Sequence, residues 1–89
     1  LNSALEDINK AIEINPNNYN FYFERALIEY ENQNYDNALV DLKNILSQYP
    51  NNAKSYNLRA KIHESTGNML EAESDFAIAN SLGYVETEE

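Results

Sequence analysis

The sequence has no cysteine, two glycines, two prolines and one histidine among 89 residues. Without cysteine there is neither a disulfide framework nor a thiolate metal site, and the compartment stays open. So little glycine and proline argues against a turn-rich β protein. Basic residues are scarce as well: six Lys and Arg stand against fifteen Asp and Glu, for a net charge of −9. Such a surface repels phosphate backbones, so a nucleic-acid partner is not expected, and anionic membrane surfaces are disfavoured for the same reason. No apolar run approaches the roughly 18–20 residues that span a bilayer, and no signal-peptide apolar region is present. No Asn-x-Ser/Thr sequon occurs despite abundant asparagine. The chain starts at Leu1 without a methionine and is expected to be a fragment of something longer.

What is present is apolar content, aromatics and a repeat. The composition is 43% hydrophobic, with seven tyrosines and three phenylalanines. That is too apolar for a disordered chain and fits one domain with a small core. Pro-Asn-Asn at 16–18 returns at 50–52, and Tyr22, Arg25 and Ala26 return as Tyr56, Arg59 and Ala60. Slid against itself by 34, the sequence is identical at 14 of 55 comparable positions. Composition alone predicts roughly 4, and self-similarity at a fixed period marks stacked supersecondary units. Ala4, Ala38 and Ala72 form one series, and Asp7, Asp41 and Asp75 another. Four residues after each alanine stands a large apolar residue: Ile8, Leu42 and Phe76.

Within each unit the apolar period is helical. Ala38-Leu42-Ile45-Leu46 and Ala72-Phe76-Ala79 carry stripes at i, i+4 and i+7, and a weaker stripe runs from Tyr22 to Glu29. Asn34 and Asn68 are placed as N-caps, and Asn68 with Glu71 resembles a capping box. Gly67 and Gly83 suit left-handed helix stops, while Pro16 and Pro50 cannot continue the helices before them. The pattern predicts five helices, at about 2–14, 19–32, 35–48, 53–66 and 69–82.

A 34-residue helix–turn–helix with small residues at its close contacts and proline after the second helix resembles the tetratricopeptide repeat. Tyr22 and Tyr56 match the first aromatic position of helix A, and Ala26 and Ala60 its small position. In helix B, Ala4, Ala38 and Ala72 match the alanine. Ile8, Leu42 and Phe76 match its large apolar position, and Ala11, Ile45 and Ala79 the next small one. Ile45 is bulky for its place, Gln33 replaces a turn glycine, and Tyr84 stands where proline is expected, so the third repeat is terminal or divergent. The resemblance implies an all-α, right-handed superhelical solenoid of antiparallel helix pairs. Residues 1–18 would be the second helix of one repeat, 19–52 a full repeat and 53–84 a full or terminal one, followed by an acidic tail at 85–89. Ala26 facing Ala38, and Ala60 facing Ala72, would let paired helices approach closely.

Candidate chemistry is sparse. His63 is read as packing between helices, because its repeat position usually holds an aromatic. Glu71 and Asp75 at i, i+4 are read as a solvated face rather than an acid/base or cation-binding pair. No Gly-rich phosphate loop or metal-spaced cluster occurs, and no catalytic residue, cofactor or metal is expected. Arg25/Arg59 and Asp7/Asp41/Asp75 repeat, which suggests structural ion pairs between helices. These pairs lie either within a repeat, Arg25–Asp41 and Arg59–Asp75, or between repeats, Asp7–Arg25 and Asp41–Arg59. The second set is preferred here because it would tie neighbours together.

The resemblance implies a protein-interaction scaffold that holds a partner protein or peptide in the concave groove lined by the A helices. Residues facing that groove in the family correspond to Asn20, Phe23, Leu27, Tyr30 and Glu31, then Lys54, Asn57, Lys61 and Glu64. Some chaperone-binding relatives grip a C-terminal carboxylate with Lys and Asn on successive A helices. Only Lys54 matches that set; Phe23, Leu27 and Leu58 do not, so no such clamp is expected. An apolar strip beside a cationic one suits instead a peptide with an apolar anchor and a nearby acidic residue, extended or helical. The alternative is a self-assembly module, in which an open end face of Leu1, Leu5, Ile8 and Ile12 makes the fragment homo-oligomeric. With two and a half repeats, marginal stability is also expected.

Overall fold

The computed structural model describes residues 2–85, with the side chain of Asn2 left aside. Five helices follow one another: α1 (Asn2–Ile14), α2 (Tyr19–Glu31), α3 (Tyr35–Gln48), α4 (Ala53–Ser65) and α5 (Met69–Ser81). Each expected helix is present, with its end within one residue of expectation, and there is no strand among the described residues.

The helix boundaries have local causes. Asn18 Oδ1 accepts from the Asn20 amide at 3.0 Å, and Asn52 Oδ1 accepts from the Ser55 amide at 3.1 Å and its hydroxyl at 2.6 Å. These are N-caps for α2 and α4. Asn34 and Asn68 sit at the N-cap positions of α3 and α5, yet neither side chain caps its helix, so the capping box expected at Asn68 and Glu71 is not formed. Both asparagines are engaged behind themselves. Their amides close the preceding helices onto the Glu29 and His63 carbonyls, each at 2.8 Å. Asn34 Nδ2 donates to Glu29 Oε1 at 2.8 Å, and Asn68 Nδ2 to Thr66 Oγ1 at 3.3 Å. These Schellman turns need a left-handed residue just before each asparagine. Gly67 supplies it at φ +85°, but in the first repeat Gln33 must adopt φ +66°.

Packing follows the repeat. α2 pairs with α3 and α4 with α5 far more extensively than the two hairpins meet each other, and α1 packs on α2 alone. Ala26, Ala38 and Ala60 are fully buried and Ala72 nearly so, which removes the side-chain bulk that would hold the helices apart. Ile45, bulky for its place, is buried too and joins Leu42, Leu58 and Ile62 in the core that bridges the hairpins.

The 34-residue register also names the stripe that faces the next hairpin. Leu5, Ile8 and Ile12 recur as Leu39, Leu42 and Leu46, and then as Glu73, Phe76 and Asn80. Leu42 is buried against α4, and by the same register Ile8 is buried, with Leu5 and Ile12 half-buried on α2. This corrects the expectation of an open apolar face at those residues: α2 covers them, and Leu1 lies outside the described residues. The open side of α1 is the opposite one, carrying Ala4 and Asp7, whose equivalents Ala38, Asp41, Ala72 and Asp75 are all buried.

Candidate functional site

Two ion pairs set the register of the hairpins. Arg25 donates from Nε to Asp41 Oδ2 at 2.9 Å and from Nη2 to Oδ1 at 2.8 Å. Arg59 repeats this fork on Asp75 at 2.7 and 2.9 Å. The pairs are therefore within repeats, not between them as preferred from the sequence. The hairpin brings the arginine of its first helix opposite the aspartate of its second, whereas Asp7 points away from α2 into solvent. Both aspartates are buried, at 4% and 5% exposure, and bidentate charge-assisted bonds offset that desolvation. The carboxylate bonds, opposed by burial, raise both guanidinium pKa values above their already high ordinary value, so the arginines stay charged. Arg25 does reach its neighbour, donating from Nη1 to Asn9 Oδ1 at 2.8 Å. Lys43 holds the equivalent position beneath Arg59 and cannot accept such a bond.

Asp75 is thus not part of a solvated carboxylate face with Glu71, which is exposed by itself. His63 lies half-buried against it, with Nε2 3.8 Å from Asp75 Oδ2. Its Nδ1 is buried with no hydrogen-bond partner among the described residues. Packing between helices is the role these surroundings give it. Among the described residues, no group of three or more His, Asp or Glu side chains converges as a metal site would require.

The residues expected to line a groove lie on α2 and α4, the first helices of the two hairpins. Across them the Lys54 ammonium stands 4.6 Å from the centroid of the Phe23 ring, a cation–π contact. Phe23 and Lys54 are half-buried, and Leu27 is 37% exposed. Asn20, Glu31 and Glu64 are exposed, and Lys61 is half-buried. Tyr30 is turned partly away, its ring 6.0 Å from that of Tyr35 on α3. Leu58, in the place a clamp arginine would need, is 4% exposed and belongs to the core.

Asn57 differs from an ordinary groove-lining residue. It is 7% exposed, so most of its side chain is packed inside the stack. Its position in the sequence gave no sign of that burial, since a polar residue one turn after Lys54 reads as exposed.

Two features went unseen in the sequence. Tyr22 Oη donates to the Pro16 carbonyl at 2.8 Å and Tyr56 Oη to Pro50 at 2.9 Å. The co-occurrence of Tyr and Pro at a spacing of six in both repeats was the available signal.

Two profiles described as tetratricopeptide repeat match the chain, one over residues 8–40 and the other over 53–82. The chain belongs to the tetratricopeptide repeat family. No solved structure matches it. The first match runs from the middle of α1 through α2 into the first half of α3, and the second covers α4 and α5, the second hairpin. Tetratricopeptide repeats are generally protein–protein interaction modules, typically non-enzymatic. No helix among the described residues is long and apolar enough to cross a membrane.

Proposed function

We propose that this tetratricopeptide array binds a segment of a partner protein in the groove between α2 and α4, with Phe23 and Leu27 as the apolar wall and Lys54 and Lys61 as the cationic one. Asn20, Tyr30 and Asn57 complete the lining. The observation that carries the reading is the Phe23–Lys54 contact, which holds an ammonium beside a half-exposed apolar strip at the junction of two hairpins. In a chain of net charge −9 this is a local reversal of sign. It would draw an acidic side chain next to an apolar anchor. The ring–ammonium contact also holds the lysine in place, which lowers the ordering cost of using it.

The test is a displayed library of random linear peptides panned against the chain, with recovered peptides measured by fluorescence anisotropy. Phe23→Ala and Lys54→Glu should each weaken binding about tenfold or more, with the helical circular-dichroism spectrum unchanged. Recovered peptides should be enriched in an aromatic or aliphatic residue near Asp or Glu. Equal binding by both folded variants would show that the groove is not the site.

Self-association through the end of the stack has less behind it. Its expected contact residues Ile8, Leu5 and Ile12 are turned onto α2 within one chain.

A further inference from the structure

At the loop edge of the first hairpin, Tyr19, Tyr22 and Tyr49 line a recess of about 40 Å³ with the buried Ile45 at its base. The rings of Tyr19 and Tyr49 meet at 4.7 Å between centroids, tilted by 42°. Part of the rim is carboxamide. Gln48 Nε2 donates to Asn44 Oδ1 at 3.4 Å, and the carbonyl oxygen of Gln48 remains able to accept. No residue lining the recess carries a charge. The second repeat serves as an internal control. At a distance of 34 residues, Tyr19, Asn44, Gln48 and Tyr49 are replaced by Ala53, Ile78, Leu82 and Gly83, while Pro16 and Tyr22 return as Pro50 and Tyr56. The second hairpin forms without the two rings and the two amides. The fold therefore does not require them.

We propose that this recess binds the ammonium head of a lysine side chain from a partner protein. Aromatic faces are electron-rich and attract a cation, and the amide rim supplies acceptors for its N–H groups. The recess also lies at the carbonyl end of α3, where the helix dipole favours positive charge, and the last turn of α3 has no basic residue of its own. The opposing amide end of α2 is closed by Asn18, which accepts from the Asn20 amide. Arg25 stands 5.6 Å from the Tyr22 ring centroid, but its charge is compensated by the fork on Asp41. Tyr19 and Tyr49 are thus the rings that hold the incoming cation. A net charge of −9 draws cations toward the whole surface. Size narrows the choice further, since about 40 Å³ is far below the roughly 150 Å³ that takes a benzene ring. A terminal group of a few atoms fits, and an aromatic side chain does not.

The test is a nuclear magnetic resonance titration of the whole chain with Nα-acetyl-lysine methylamide, set against the uncharged norleucine counterpart. The lysine probe should shift the ring resonances of Tyr19 and Tyr49 and the Gln48 carboxamide along one saturating curve, and the norleucine probe should leave them in place. Tyr49→Leu keeps the net charge and an apolar side chain but removes the ring face, and should weaken the lysine probe roughly fivefold. Tyr19→Ala, which installs the residue of the second hairpin, should do the same and serves if Tyr49→Leu does not fold. A probe gathered only by the general acidic field would bind both variants as it binds the natural chain, and that result overturns the proposal. So does an equal response to norleucine, or no saturating shift with lysine. Phe23→Ala and Lys54→Glu alter no residue of the recess, so this site and the α2–α4 groove stand or fall separately.

Discussion

Tyr22 ties the start of α2 to the loop before it, its hydroxyl donating to the Pro16 carbonyl at 2.8 Å, and Tyr56 does the same with Pro50. Proline cannot donate and ends the helix before it, so its carbonyl is left for the side chain six residues on. The bond is solvent-accessible, so its net worth is at the low end of the usual range. Tyr22→Phe should cost about 0.5 kcal/mol in urea denaturation. Tyr22→Phe with Tyr56→Phe should cost about the sum, because the two sites share no partner.

Removing Arg59 strands a buried carboxylate. Arg59→Ala should destabilise the chain by about 1.5–3 kcal/mol, measured by chemical denaturation, with a comparable loss for Arg25→Ala. Arg25→Ala should be the larger of the two, since it also frees Asn9. Asp7→Ala, at the register-equivalent but exposed position, should change stability by less than about 0.5 kcal/mol. A double-mutant cycle on Arg59 and Asp75 should give a clear coupling energy. No coupling between them would show that the fork does not stabilise the hairpin.

Gln33 occupies a left-handed conformation that glycine holds at the matching turn of the second repeat. A side chain there costs roughly 1–2 kcal/mol, while glycine's extra freedom in the unfolded chain returns part of that. Gln33→Gly should therefore raise stability by about 0.5–1 kcal/mol, read as a higher melting temperature. Gly67→Gln should lower it by a similar amount. An unchanged midpoint in both would mean the turns are not strained as their angles indicate.

Overpacking tests the hairpin contacts. Ala60 is fully buried, and Ala60→Leu should cost about 1–3 kcal/mol. Ala4→Leu, on the open side of α1, should cost almost nothing. A tolerant Ala60 would indicate that the paired helices have room to separate.

The helices were legible because two independent signals coincided: an apolar period of 3.6 residues and punctuation by Pro16, Pro50, Gly67 and Gly83. Which neighbour each face meets was less so. Arg25 is 16 residues from Asp41 and 18 from Asp7, and only the closure of the hairpin decides between them. The stripe at Leu5, Ile8 and Ile12 was recognised as one face, but periodicity reports which residues share a face and not which helix covers it. Asn34 and Asn68 were recognised as boundary residues, while their side chains went to the turn behind them, a choice set by the left-handed residue that precedes each. The row of candidate groove positions was legible from the family, and the burial of Asn57 was not, because it depends on tertiary packing rather than on residue type.

The hairpins are tightly packed within themselves and more lightly joined to each other. In mechanical terms the molecule is two stiff blocks on a compliant seam, and the α2–α4 groove runs along that seam. Anything lying across it touches both blocks at once and resists their bending. On the groove binding proposed above, occupancy and curvature would be coupled: a bound segment would stiffen the stack, and a stack held at another curvature would change the width offered to the segment.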